Sequence, residues 1–162
     1  MKVAVHRKRG DIDQLHVLKT YSQIEAAEWA GAWLSIYGRD GRGVNTKGYL
    51  WHVFSAGRYP CLSGAPAVDR YMAQAGTQFV VLPNDRNHAV LTDQLPDAEA
   101  VWSDYYVFPP NLSWTMALTH EAGWLGPYFA QHPDHARLDE ENLRQVQKAK
   151  EIEAARSKGW LS

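Results

Sequence analysis

The sequence predicts an α+β fold: one domain over residues 1–162, built on a mainly antiparallel sheet of about four to five strands packed against two to three helices. Three observations predict it. A helix-start signature stands at Ser22, two pairs of short β-branched and aromatic runs flank turn residues at 83–87 and 109–111, and a long charged helical stretch follows residue 138. A chain of 162 residues is long enough to bury a single core of ordinary size.

Residues 1–20 mix short apolar runs with charge and read as a lead-in, either a short edge strand or irregular. Ser22 and Glu25 form a capping box, in which each side chain satisfies the other's backbone N–H, so a helix over Gln23–Tyr37 is expected. Its apolar stripe is Trp29, Trp33, Ile36 and Tyr37, and Gly38 is positioned to end it in the left-handed conformation. Residues 38–48 hold four glycines and several charges and read as a loop. Lys47 precedes Gly48 and an aromatic run instead of leading into a helix, so the phosphate-cradling pattern is absent, and any anion bound there would face Arg39 and Arg42.

Residues 49–55 have strand composition, which places His52 on one face with Leu50 and Phe54. Ser63 is the expected N-cap of a helix reaching about Ala75, with Pro66 in its first turn and a buried stripe of Val68, Tyr71, Met72 and Ala75. Cys61 would lie just before that helix, where backbone donors lower a thiol pKa, so it is a candidate nucleophile; a buried inert thiol is the alternative. Residues 77–82 and 88–92 form one expected hairpin, and 105–108 and 114–119 form a second, central one. Tyr106, Phe108 and alternate residues of 114–118 should face a core shared with Trp29 and Trp33. His120 and Glu121 follow where the second strand runs out, and they can share a site only if a turn intervenes. His132, Asp134 and His135 are too compressed to diagnose a metal site and read as a solvated helix start. The last helix, over about 139–158, carries a thin stripe of Leu143, Val146 and Ile152 and should pack weakly or at one end.

Seventeen basic against eighteen acidic residues give a net charge of -1, which provides no field favouring nucleic acid or an anionic membrane. The basic tract at 6–9 is a local exception and reads as a solvated end. A lone cysteine excludes an intramolecular disulfide and a thiolate zinc site, and no apolar run reaches the roughly 20 residues of a membrane span, so a cytoplasmic protein without cofactor, metal or membrane is expected.

Two function classes use the same residues. As a binding protein, the chain would present Tyr105, Trp114, Trp124 and Tyr128 as aromatic anchors, with Arg39, Arg42 and Asp85 as a polar rim. As an enzyme, it would gather His52, His120 and Glu121, with Cys61 or Ser63 as nucleophile, for metal-dependent or acid–base chemistry. No H-E-x-x-H helix, nucleophile elbow or Walker pattern accompanies them.

The set Trp51-His52-Val53-Phe54-Ser55, Tyr59-Pro60-Cys61-Leu62-Ser63-Gly64, Ser113-Trp114-Thr115, Thr119-His120-Glu121 and Gly126-Pro127-Tyr128-Phe129 resembles a family of short bacterial proteins classed as a domain of unknown function. The resemblance covers about residues 29–129 and implies no catalytic assignment. In size and aromatic richness the chain is also similar to the immunity proteins of bacterial toxin systems. That likeness implies direct binding to a protein partner, a cognate toxin; a small hydrolase using His52, His120 and Glu121 is the alternative.

Overall fold

The computed structural model describes residues 15–41, 43–98, 104–121 and 124–160. Arg42 and the basic tract at 6–9 therefore lie outside the described residues. The elements in order are β1 (Val17–Tyr21), α1 (Gln23–Tyr37), α2 (His52–Ser55), β2 (Leu62–Ser63), α3 (Ala65–Met72), β3 (Phe79–Pro83), β4 (Ala89–Thr92), β5 (Tyr105–Phe108), β6 (Trp114–Leu118), β7 (Tyr128–Gln131) and α4 (His135–Ser157). The seven strands form one sheet in the order β1-β4-β3-β5-β6-β7-β2, and every pairing is antiparallel. The class is the predicted α+β.

Both expected hairpins form, and the strand count exceeds four to five because β1, the two-residue β2 and β7 join the sheet. In exchange, residues 49–55 are not a strand. Leu50, Trp51, Val53 and Phe54 are all buried, a helical spacing, and the Leu50 and Trp51 N–H groups bond to the Asn84 and Tyr106 side chains in place of a neighbouring strand. Side-chain acceptors thus replaced the ladder that the composition suggested.

Helix α1 follows its capping box, with Ser22 Oγ accepting from the Glu25 N–H at 3.2 Å and Glu25 Oε1 accepting from the Ser22 N–H at 3.2 Å. Ala26, Ala30, Trp33 and Tyr37 form its buried face, and Trp29 and Ile36 sit at the margin. Gly38 closes the helix at φ -98, outside the left-handed region, with its N–H on the Leu34 carbonyl at 2.9 Å. The helix lies on one face of the sheet. There Trp33 packs on Tyr106 and Phe54, Trp29 packs on Phe108, and the Trp33 indole donates to Thr115 Oγ1 at 2.8 Å. The predicted core shared by Tyr106, Phe108, Trp29 and Trp33 is present.

A second core fills the opposite face. Ala67 and Tyr71 of α3 cover Phe79, Val81, Val107, Trp114, Met116 and Phe129, and the Tyr71 hydroxyl donates to the Pro96 carbonyl. Both faces of the central hairpin are therefore enclosed, and every residue of β5 and β6 is buried. The N-cap of α3 is Gly64, at φ 67, and not Ser63, because Leu62 and Ser63 are extended and paired with Phe129 and Tyr128. Helix α3 ends at Met72, which is 52% exposed, so the buried stripe is Ala67 and Tyr71.

Helix α4 starts at His135, four residues before the expected position, after the Asp134 N–H donates to His132 Nδ1 at 2.8 Å. Its buried residues are Leu138 and Asn142, while Leu143 and Ile152 are exposed. Asn142 Nδ2 donates to Ser113 Oγ at 2.9 Å, and Asn111 Nδ2 donates to Asn142 Oδ1 at 3.0 Å, so the helix packs at its N-terminal end as expected.

Candidate functional site

The chemistry gathers at the open end of the β5–β6 hairpin. The register pairs Tyr105 with Leu118, and one further step sets Asp104 opposite Thr119 and therefore beside His120. Three N–H groups converge on the Asp104 carboxylate: the His120 backbone at 3.1 Å, His120 Nδ1 at 2.8 Å to Oδ2, and the Trp51 indole at 3.0 Å. A carboxylate only accepts, so the His120 ring carries its proton on Nδ1 and turns Nε2 outward. The Asp104 side chain is 10% exposed and that of His120 38%. The pair is held at its inner end and open at its outer end.

Glu121 meets that outer end, with Oε1 at 3.6 Å from His120 Nε2. Strand β6 stops at Leu118 and a turn follows, so two sequence neighbours share one side. His52 also arrives here. The Tyr49 ring stands 5.5 Å from His52 and 5.4 Å from His120, and Trp51 contacts both imidazoles. His52 Nδ1 donates to the Asn45 carbonyl at 2.9 Å, which leaves its Nε2 as an acceptor. Segment 48–51 is fixed by the β3–β4 turn: Asn84 accepts from the Tyr106 hydroxyl at 2.6 Å and from the Leu50 N–H at 3.3 Å, and Arg86 donates to the Thr46 carbonyl at 2.8 Å. Burial pushes the Tyr106 phenol well above the usual tyrosine range, so it remains a neutral donor to Asn84.

Of the sequence candidates, His52, His120 and Glu121 converge, and exposed Asp85 stands on the β3–β4 turn at the same end of the sheet. Arg39 is exposed just after α1, whose last residue Tyr37 donates to the Leu112 carbonyl at the closed end of the hairpin. Cys61 does not join the group. It lines a separate hollow beside Leu62 and Phe129, and burial pushes its thiol pKa up, the reverse of nucleophile activation. The physical reason is that partial burial penalises the thiolate, and that the extended residues Leu62 and Ser63 separate Cys61 from the N-cap Gly64.

The expected aromatic surface is also corrected. Tyr105, Trp114 and Tyr128 are 5%, 0% and 6% exposed, because helices cover both faces of the sheet. Trp124 is 84% exposed and is the one expected anchor at the surface. The described residues beside it are tied back to the strand exit: the Trp124 and Leu125 N–H groups both bond the Glu121 carbonyl, and Thr119 Oγ1 donates to the Leu125 carbonyl at 2.5 Å. Gly126 closes the turn at φ 91, where a Cβ would come within 3.0 Å of the Thr119 side chain.

Asp104 was missed as a functional candidate, although the hairpin register contains the signal. Among the described residues, no group of three or more His, Cys, Asp and Glu side chains is arranged to hold a metal ion, and no helix is long and apolar enough to cross a membrane. No curated protein and no solved structure matches the chain. A family model matches residues 19–129, which contain all of this site, and the chain belongs to that family, described as "Domain of unknown function (DUF4275)".

Proposed function

We propose that the chain is a protein-binding domain of the immunity type, acting in the cytoplasm by covering a surface of a cognate toxin. The observation that carries this reading is Trp124, 84% exposed on a turn tied by Thr119 and closed by Gly126. Leaving an indole in water forgoes about 4 kcal/mol of burial. The hydrogen bonds that hold Trp124 and Leu125 to Glu121 and Thr119 lower the entropy cost of using it as an anchor. Glu121, whose carbonyl accepts from the Trp124 N–H, and His120 beside it supply polar groups next to the anchor, and aromatic centres with polar rims are the common pattern of interface hot spots.

A second reading, a small acid/base-dependent hydrolase, is supported by the orientation of His120. A carboxylate on Nδ1 and an outward Nε2 3.6 Å from Glu121 is an arrangement able to move a proton. The two readings separate by substitution. In capture experiments from the protein's own cells, or with the product of the neighbouring gene, Trp124→Ser should abolish complex formation and His120→Gln should weaken it little. Retention of a stable complex by Trp124→Ser, or no complex with the wild type, overturns the binding reading. Loss of biological effect in His120→Gln with the complex intact favours the hydrolase.

A further inference from the structure

A hollow of about 640 Å³ lies along the β2–β7 edge, apart from the Asp104–His120 group. It follows from the shortness of β2. Leu62 and Ser63 pair with Phe129 and Tyr128, and among the described residues no strand continues past them along the outer edge of Ala130 and Gln131, whose inner edge is paired with β6. Tyr59 crosses the gap and donates its hydroxyl to the Gln131 carbonyl. That bond already engages one of the acceptors an added peptide strand would use, and the hollow remains beside it.

The lining is one-sided in charge. Leu62, Phe129 and Pro133 form apolar walls, and neither Asp nor Glu lines the hollow. Arg70 lines it and is exposed, and its guanidinium has no ion pair among the described residues. His132 also lines it, on the connection between β7 and α4. The Asp134 N–H donates to His132 Nδ1 at 2.8 Å, so Nδ1 is the acceptor and the neutral ring carries its proton on Nε2 as a donor. A cation, a second donor and apolar walls in a volume typical of small-molecule sites define a ligand class.

We propose that this hollow binds a small amphipathic carboxylate. Its carboxylate pairs with Arg70 and accepts from His132, and its apolar body lies on Leu62, Phe129 and Pro133. The site is independent of Trp124.

Cys61, the lone cysteine, lines the same hollow and serves as a built-in reporter. The experiment titrates the full chain with decanoate below its micelle-forming concentration. It follows binding by calorimetry and by the rate of Cys61 alkylation with iodoacetamide, and uses decanol as the neutral control. Decanoate should bind saturably and slow alkylation several-fold, and decanol should protect far less. Arg70→Gln should weaken decanoate by about threefold, the value of one exposed ion pair, while Trp124→Ser should leave it unchanged. Arg70 is exposed, so its substitution does not threaten the fold. Unprotected Cys61, equal protection by decanol, or unaltered affinity in Arg70→Gln each overturns the proposal.

Discussion

Asp104 holds the candidate site together, since the His120 backbone, the His120 ring and the Trp51 indole all donate to its carboxylate. Replacing it by Asn should cost about 2 kcal/mol of stability, because a charged acceptor is lost and an NH2 group can be turned against donors. The same change should release the His120 Nδ1 proton from its fixed position, which nitrogen-detected NMR of the imidazole reads directly. Unchanged stability and an unchanged Nδ1–H signal would mean that the carboxylate does not orient the ring. At this scale the sequence was partly legible. His120 and Glu121 stood out as neighbours at a strand exit, and the turn needed to unite them is there. Asp104 was harder to see because its role comes from the register of two strands and not from any local pattern. Tyr105, Trp114 and Tyr128 were misassigned to the surface for a related reason: alternation along a strand says which residues share a face, and does not say whether a helix covers it.

At the scale of elements, the capping box of α1 was read correctly because it is local chemistry, complete within four residues. Helix α4 is the contrasting case. Its apolar residues suggested a stripe through Leu143, yet the face that docks carries Asn142, bonded to Ser113 and Asn111. Asn142→Ala should therefore destabilise the protein by about 2 kcal/mol, since Ser113 and Asn111 lose their buried partner. Leu143, 51% exposed, should tolerate Ala with a change below about 0.5 kcal/mol. Denaturant titration of the two variants checks the order, and the reverse order would place the wrong face against the sheet. Residues 49–55 depart from the strand their composition predicts for the same cause as α4. Polar side chains distant in sequence, Asn84 and Tyr106, decide where the backbone goes.

Across the whole molecule, the two hairpins and the first helix were legible, while the sheet order and the second helical layer were not, because both are set by long-range packing. That enclosure has a measurable consequence at alkaline pH. Tyr37, Tyr71 and Tyr106 are buried, and burial pushes each phenol pKa upward. In the unfolded chain they titrate near the ordinary value of about 10, so below that pH both states hold the same protons and the stabilisation is fully present. Above about pH 10 the unfolded state releases protons that the fold retains, and stability should fall by about 1.4 kcal/mol per pH unit for each tyrosine. Denaturant midpoints measured between pH 9 and pH 12 should show the decline, with a shallower slope in Tyr106→Phe; a flat profile would mean that the phenols titrate within the fold. The same enclosure leaves Trp124 as the expected anchor that remains in solvent, and the proposed partner binding turns on it. The most direct measurement is photo-crosslinking in the protein's own cells, with a photoreactive phenylalanine analogue at position 124 and, as a control, at exposed position 35. A discrete adduct to one partner protein from position 124, absent from position 35, is the predicted result; no adduct at 124, or the same adducts from both positions, would contradict it.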